Sequence, residues 1–219
     1  MADRARSFAV IGLGSFGSTV AAELAQLDGY VLGIDSDPAR VAHIADEIAE
    51  AKILDASDED ALREAGLDRF GAVVIAIGEN VEASILSTMN ARLIGCDIIW
   101  AKARDRTHHR ILSKLGADRV IRPEQDYGRH VAQMLHNPAL RDYLSIGNGY
   151  LVVDFQVPEK LDGQSVASLT QEGASGLRLL GLMRGTEFLD AAPDFALRTG
   201  DKMLVLGTRA DLRRFGATF

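Results

Sequence analysis

Over roughly the first half of the chain, apolar residues come in short unbroken runs, and between the runs they return every three or four positions. Short runs bounded by turn residues read as strands buried on both faces, and the wider spacing reads as amphipathic helix. Phe8–Ile11 is the first run and ends at a glycine-rich loop. A helix from Gly14 carries Phe16, Val20, Leu24 and Leu27 on one face, and Gly29 stops it. Tyr30–Ile34 is the second strand and ends in Asp35. Asp37 then caps a helix with Pro38 in its first turn and Val41, Ile44 and Ile48 as its buried stripe. Lys52–Leu54 is the third strand, and Ser57-Asp58-Glu59-Asp60 resembles a capping box for a short helix that Gly66 closes. Ala72–Ile77 is the fourth strand. The helix after it, about Val81 to Ile94, is expected to turn Ile85, Met89 and Leu93 inward. Ile98–Ala101 makes a fifth strand, Thr107–Leu115 a helix ended by Gly116, and Arg119–Ile121 a sixth strand stopped by Pro123.

Six strands with helices between them predict an α/β fold, a doubly wound parallel Rossmann sheet. Ligands of such sheets lie at the carboxyl ends of the strands, where Gly12, Asp35, Asp55, Gly78 and Lys102 fall. The pattern then changes. A helix covers about Gln125–Leu135, Asn137-Pro138 interrupts it, and a second short helical piece is expected to run to Leu144. Ile146-Gly147-Asn148-Gly149 reads as a turn or linker. Strands dominate beyond it: Leu151–Val157, Leu177–Met183, Glu187–Leu189 and Lys202–Leu206, with a hairpin turn at Arg184-Gly185-Thr186. Ser165–Leu169 and Asp211–Phe215 read as short helices, so this part is a smaller α+β domain.

Composition narrows the function. With 47% apolar and 25% charged residues among 219, the chain is an ordinary globular protein able to bury two modest cores. A net charge of −7 argues against a nucleic-acid partner, because phosphate backbones are held by clustered Lys and Arg. The single cysteine, Cys96, excludes an internal disulfide and a multi-cysteine metal site, which fits a reducing cytosol. Met1–Ser7 leads straight into a strand, so no signal peptide is expected. The longest apolar run of the first half, Ala72–Ile77, is far short of the roughly 20 residues of a membrane helix.

Gly12-Leu13-Gly14-Ser15-Phe16-Gly17 is a G-x-G-x-x-G loop in the context that gives it meaning, after a strand and opening a helix. Gly12 permits the tight turn, Gly14 lets backbone approach a phosphate, and Gly17 lets helix and strand pack closely. The helix N-terminus offers N–H groups and partial positive charge to an anion. Asp35, eighteen residues after Gly17, stands where a carboxylate accepts from ribose hydroxyls and repels a 2′-phosphate. That spacing does not separate NAD from ATP, ADP or AMP. Asp55-Ala56-Ser57-Asp58 lies where an adenine edge would fall, with Asp55 placed to accept from the exocyclic amine; a plain helix-capping segment is the alternative. Ile77-Gly78 lines the expected pocket, and Lys102 and Arg104 either reach the phosphates or form a solvated basic loop.

Catalytic machinery is missing from the sequence. No tyrosine is followed four residues later by lysine, no G-x-S-x-G occurs, and His43, His108, His109, His130 and His136 form no H-E-x-x-H. A nucleotide is held, and no residues to transform a substrate can be named, so a non-enzymatic role is expected.

Phe8–Gly17, Val73–Gly78, Trp100-Ala101-Lys102-Ala103, Leu115–Ile121 and Ile121–Gly128 together resemble the RCK (KTN) gating subunits of bacterial potassium uptake systems of the Ktr and Trk type, over nearly the whole chain. The resemblance implies a Rossmann RCK_N domain at 1–122, a crossover helix and linker at 123–145, and an RCK_C (TrkA_C-like) regulatory domain at 146–219. It implies a cytoplasmic protein that binds ATP, ADP or NAD(H) and forms a homo-dimer assembling into an octameric ring. That ring docks on a membrane potassium transporter or channel subunit at the inner face of the cell membrane. Carried over by position, Gly12, Gly14, Ser15, Phe16 and Gly17 hold phosphates, and Asp35, Ser36 and Asp37 lie at the ribose. Asp55 and Ala56 flank adenine, Ile77 and Gly78 line the pocket, and Lys102 nears the phosphates. Glu124 matches an intersubunit position for a divalent cation, Mg or Ca. Ktr-type members commonly carry Arg at the position of Ser15; without that charge ATP, ADP, NAD(H) and AMP all stay candidates. Some members bind cyclic di-AMP in the C-terminal domain, where Leu182–Pro193 is the segment of interest. Two other readings carry less: a small NAD-dependent Rossmann oxidoreductase, and a soluble nucleotide-sensing regulator of another partner.

Overall fold

The computed structural model describes residues 4–136, 140–171, 176–190 and 192–216. The chain divides into two compact units between Pro123 and Glu124.

In the first unit, β1 (Ser7–Ile11), β2 (Tyr30–Asp35), β3 (Glu50–Ile53), β4 (Ala72–Ile75), β5 (Ile99–Lys102) and β6 (Arg119–Ile121) form one parallel sheet in the order β3-β2-β1-β4-β5-β6. The helices between them are α1 (Ser15–Gln26), α2 (Pro38–Ile44), α3 (Glu59–Glu64), α4 (Val81–Ile94) and α5 (Arg106–Lys114). Strand order reverses between β1 and β4, so the crevice of this doubly wound sheet opens at the carboxyl end of β1. One face buries Val10, Val31, Ala21, Val41, Ile44 and Ile48 under α1 and α2. The other buries Ile11, Ile34, Val73, Ile75, Ile99 and Leu112, with Leu62 of α3. Apolar runs therefore mark the central strands β1 and β2 as buried on both sides, while β3, β5 and β6 each keep an exposed residue.

Three local expectations are corrected. In α4 the fully buried side chains are Ser84, Ser87, Thr88, Asn90, Ala91 and Ile94; Ile85 packs against the core as expected, whereas Met89 and Leu93 are exposed. Small residues let α4 seat closely. Two of the hydroxyls are satisfied within the helix, Ser87 Oγ donating to Ala83 O at 2.7 Å and Thr88 Oγ1 to Ser84 O at 2.8 Å, while the buried Ser84 Oγ finds no partner. Leu27 lies past the end of α1 and is exposed, while Phe16, Val20 and Leu24 pack on the core as expected. The cap of α3 is Asp58, whose carboxylate accepts from the Asp60 and Ala61 N–H groups; Ser57 turns back to Asp55 instead.

The second unit holds α6 (Pro123–His136) from Glu124 onward and an antiparallel sheet of β7 (Leu140–Gly147), β8 (Tyr150–Gln156), β9 (Arg178–Arg184), β10 (Glu187–Leu189) and β11 (Lys202–Thr208), ordered β10-β9-β11-β8-β7. Helices α7 (Val166–Gln171) and α8 (Arg209–Gly216) complete it. Alternation in β8 puts Leu151, Val153 and Phe155 into a core with Leu182, Met203, Val205, Leu212 and Phe215. The helical piece expected up to Leu144 is instead β7, paired with β8 around Asn148-Gly149. Both turn residues have positive φ (52° and 81°), the geometry that makes Asn-Gly a tight hairpin. Of the two readings of residues 146–149 the turn is the one found, and Leu140 and Tyr143 pack on the core. Asn137-Pro138, residue 191 of the segment Leu182–Pro193, and residues 1–3 of Met1–Ser7 lie outside the described residues. Among the described residues no helix is long and apolar enough to cross a membrane.

Candidate functional site

The glycine loop forms where β1 turns into α1. Gly12 adopts φ +94°, a left-handed conformation costly for any residue with a Cβ, and its N–H donates to Ile34 O at 2.7 Å. A Cβ there would also stand 3.0 Å from Ile77 Cγ1. Gly17 is held tighter still, since a Cβ would fall 1.8 Å from Gly12 O. Gly14 is different in kind: a Cβ would meet nothing within 4 Å, so the bare backbone there faces open space. Gly14 is also the N-cap of α1 and supplies no capping side chain, and the first turn contains no acid. The amide end of α1, beginning at the exposed Ser15, is thus left for an anion.

Asp35 closes the loop from the β2 side. It is only 7% exposed, and Oδ2 accepts the Leu13 N–H at 2.7 Å while Oδ1 accepts the Asp37 N–H at 2.9 Å. Asp37 caps α2 through the Ala39 N–H, and Ser36 between the two aspartates is exposed. Arg40 stands 3.6 Å from both Asp35 Oδ2 and Asp37 Oδ2 and balances this acidic corner. Sequence reasoning missed Arg40, although its place three residues after a helix cap is the spacing that faces it back to Asp37.

Lys102, at the end of β5, lies with Nζ 5.5 Å from the Phe16 ring centroid. A Cβ on Gly78 would stand 3.1 Å from the same Nζ, so this glycine leaves room for the lysine. Gly12, Gly14, Phe16, Gly17, Asp35, Ile77, Gly78 and Lys102 are therefore neighbours around one crevice. On its far side, Asp55 Oδ1 accepts from Ser57 N–H at 2.9 Å and from Ser57 Oγ at 2.6 Å. These bonds hold the Asp55 carboxyl below its usual range. Ala56 is buried, and Leu54 N–H donates to Asp35 O, which joins this loop to β2. Asn90 of α4, also unforeseen, donates from Nδ2 to Ser57 O at 2.9 Å.

Glu124 lies in the first turn of α6, in the other unit. Among the described residues no group of three or more His, Cys, Asp or Glu side chains is arranged to hold a metal.

Residues 8–123 match the family model of the TrkA-N domain, and residues 152–219 that of the TrkA-C domain. The chain is 34% identical to the Ktr system potassium uptake protein A of Bacillus subtilis over 96% of its own length and 95% of that protein. It is 36% identical to the protein of the same name from Vibrio alginolyticus over 94% of each. This chain belongs to the TrkA/Ktr family of potassium uptake proteins.

Solved structures agree on the fold. The RCK domain of GsuK superposes with a TM-score of 0.67 at 13% identity, over 99% of this chain and 48% of that one. The GsuK channel bound to NAD gives 0.64 at 14% identity, over 98% and 39%. This TrkA/Ktr chain thus spans less than half of those chains and nearly all of its Ktr relatives.

Proposed function

We propose that this TrkA/Ktr chain is the nucleotide-binding regulatory subunit of a potassium uptake system, a sensor and not an enzyme. The observation that carries the reading is the crevice itself: a bare Gly14 backbone and an uncapped helix end on one side, and the Asp35–Asp37 pair on the other. The first pair suits phosphates and the second a ribose. Gly12, Gly14, Ser15, Phe16 and Gly17 would cradle the phosphates with Lys102 beside them, while Asp35, Ser36 and Asp37 take the ribose. Asp55 and Ala56 take adenine, with Ile77 and Gly78 as the floor. Ser15 adds no charge, so the site is built for the adenosine moiety that ATP, ADP, NAD(H) and AMP share; ATP or ADP is the first choice.

In this reading the protein works in the cytoplasm, docked on a membrane potassium transporter or channel subunit as homo-dimers in an octameric ring. Residues 1–122 act as the nucleotide domain, 123–145 as the crossover segment between protomers, and 146–219 as the regulatory domain. Glu124 would take a Mg or Ca ion only when a second protomer completes its ligands. Cyclic di-AMP is a candidate second ligand of the C-terminal domain.

A ligand that contacts two ring shapes differently shifts their populations by that difference, tenfold for about 1.4 kcal/mol. Potassium flux into vesicles holding the membrane subunit, with purified ring and each nucleotide in turn, tests this. Flux should differ between nucleotides; equal flux with all of them and with none would sink the proposal. Mass spectrometry of whatever co-purifies would name the resident nucleotide.

A further inference from the structure

The geometry points to Asn90 as a positioning residue that makes the crevice select adenine over other purines. The inference rests on the nucleotide-binding reading above. Asn90 is 3% exposed and sits in α4, far along the chain from the loop after β3. Its Nδ2 donates to Ser57 O at 2.9 Å across a separation of 33 residues. A buried amide is costly unless it is hydrogen-bonded, and here the bond goes to the backbone of the loop that carries Asp55. Of the other polar residues buried in α4, Ser87 and Thr88 bond to carbonyls of their own helix and Ser84 Oγ finds no partner, so Asn90 is the one whose side-chain bond reaches that loop.

Ser57 passes that restraint to Asp55. Its N–H and Oγ–H both fall on Oδ1 of the aspartate. This restrains the carboxylate through Oδ1, so that Oδ2 would be the oxygen to meet a donor from the base. Adenine presents an amine at its six-position, and hypoxanthine presents a carbonyl oxygen there. A fixed carboxylate accepts from the first and repels the second. A carboxylate on a slack loop swings away and tells them apart poorly. Selection of the base therefore depends on a side chain that never touches it.

The test compares ATP with inosine triphosphate on the full chain by calorimetry. Wild type should bind ATP at least tenfold more tightly. Asn90→Ala and Asn90→Asp should bring the two affinities within about twofold, by losing ATP affinity while that for inosine triphosphate stays. Thr88→Val removes a buried hydrogen bond from the same helix, so it should keep the wild-type ratio. An unchanged ratio in the Asn90 variants, an equal loss for both nucleotides, or no wild-type preference would overturn the proposal. If wild type binds neither nucleotide, the reading of the crevice itself fails. Should the variants not fold, amide exchange in wild type decides: ATP must slow residues 55–58 more than inosine triphosphate does, and equal slowing overturns the proposal.

Discussion

Asp35 Oδ2 accepts the backbone N–H of Leu13 at 2.7 Å, so the carboxylate at the tip of β2 is also the latch of the phosphate loop. One buried side chain thereby joins the two halves of the crevice, and a ribose hydroxyl must bind to a group already holding the loop in place. Asp35→Ala leaves the Leu13 N–H without its acceptor, a loss worth about 1–3 kcal/mol. We expect a lower melting temperature and ATP or ADP affinity reduced at least tenfold by calorimetry. Asp35→Asn keeps one oxygen and should recover part of the stability but little of the binding. Undiminished affinity in the alanine variant would refute the ribose assignment.

Gly17 and Gly14 separate fold from function within one motif. A methyl at Gly17 collides with Gly12 O, which is backbone and cannot swing aside. Gly17→Ala should therefore fail to give a folded first unit, visible as lost cooperative melting. Gly14 has φ −66°, which any residue adopts, and its Cβ position is open. Gly14→Ala should melt within about 0.5 kcal/mol of wild type, as surface changes do, yet bind nucleotide several-fold more weakly because the methyl occupies the phosphate approach.

How much of this was legible in the sequence depended on whether apolar spacing was the deciding signal. It was for the parallel sheet, whose central strands are buried on both faces; the glycine loop and Asp35 were legible instead from a motif spacing set by the turn and the strand length. It was not for α4. Ile85 packs on the core as the apolar stripe suggests, but close seating of the helix selects small residues, so serines and a threonine face the core while Met89 and Leu93 are exposed. Asn90 was hidden by the same rule, since a polar residue reads as outward until its partner on a distant loop is known. β7 was misjudged for a different reason. Asn137-Pro138 suggests one helical piece following another, and the Asn148-Gly149 signal fits a turn or a linker equally well until the segment before it is known to be a strand.

The C-terminal unit has one ion pair whose removal should be costly. Arg184 grips Asp201 with two bonds, Nε to Oδ1 at 2.9 Å and Nη2 to Oδ2 at 2.8 Å, and Asp201 is 3% exposed. Burial pushes the Asp201 carboxyl up, but Arg184 and the Arg198 N–H outweigh it and hold it below its usual range. Arg184→Ala strands a buried carboxylate and should cost about 3 kcal/mol in denaturant unfolding of the chain. Arg184→Lys keeps the charge without the fork and should fall between. A variant as stable as wild type would show that the pair contributes nothing net.

His108 makes stability depend on pH. It is 2% exposed in the first turn of α5, its Nδ1 accepts the Arg104 N–H at 3.3 Å, and Nε2 finds no partner. Burial pushes the imidazole below its ordinary 6.5; Asp105 pulls the other way and Arg104 adds to the depression. The unfolded chain therefore takes up this proton at a higher pH than the folded one. Stability from the neutral histidine is complete above about 6.5 and is lost as pH falls from there through the folded value, by up to about 1.4 kcal/mol per pH unit. Protonation of the folded protein also ends the acceptor role of Nδ1 in the turn that follows Lys102, so nucleotide affinity should hold at first below pH 6.5 and weaken only as pH falls through the folded value. His108→Asn offers an oxygen to the Arg104 N–H and does not titrate. Unfolding free energies measured from pH 8 to 5.5 should fall more steeply for wild type than for this variant. Parallel curves would mean that His108 takes up its proton over the same range in the folded and unfolded states, and that some other group sets the acid limit.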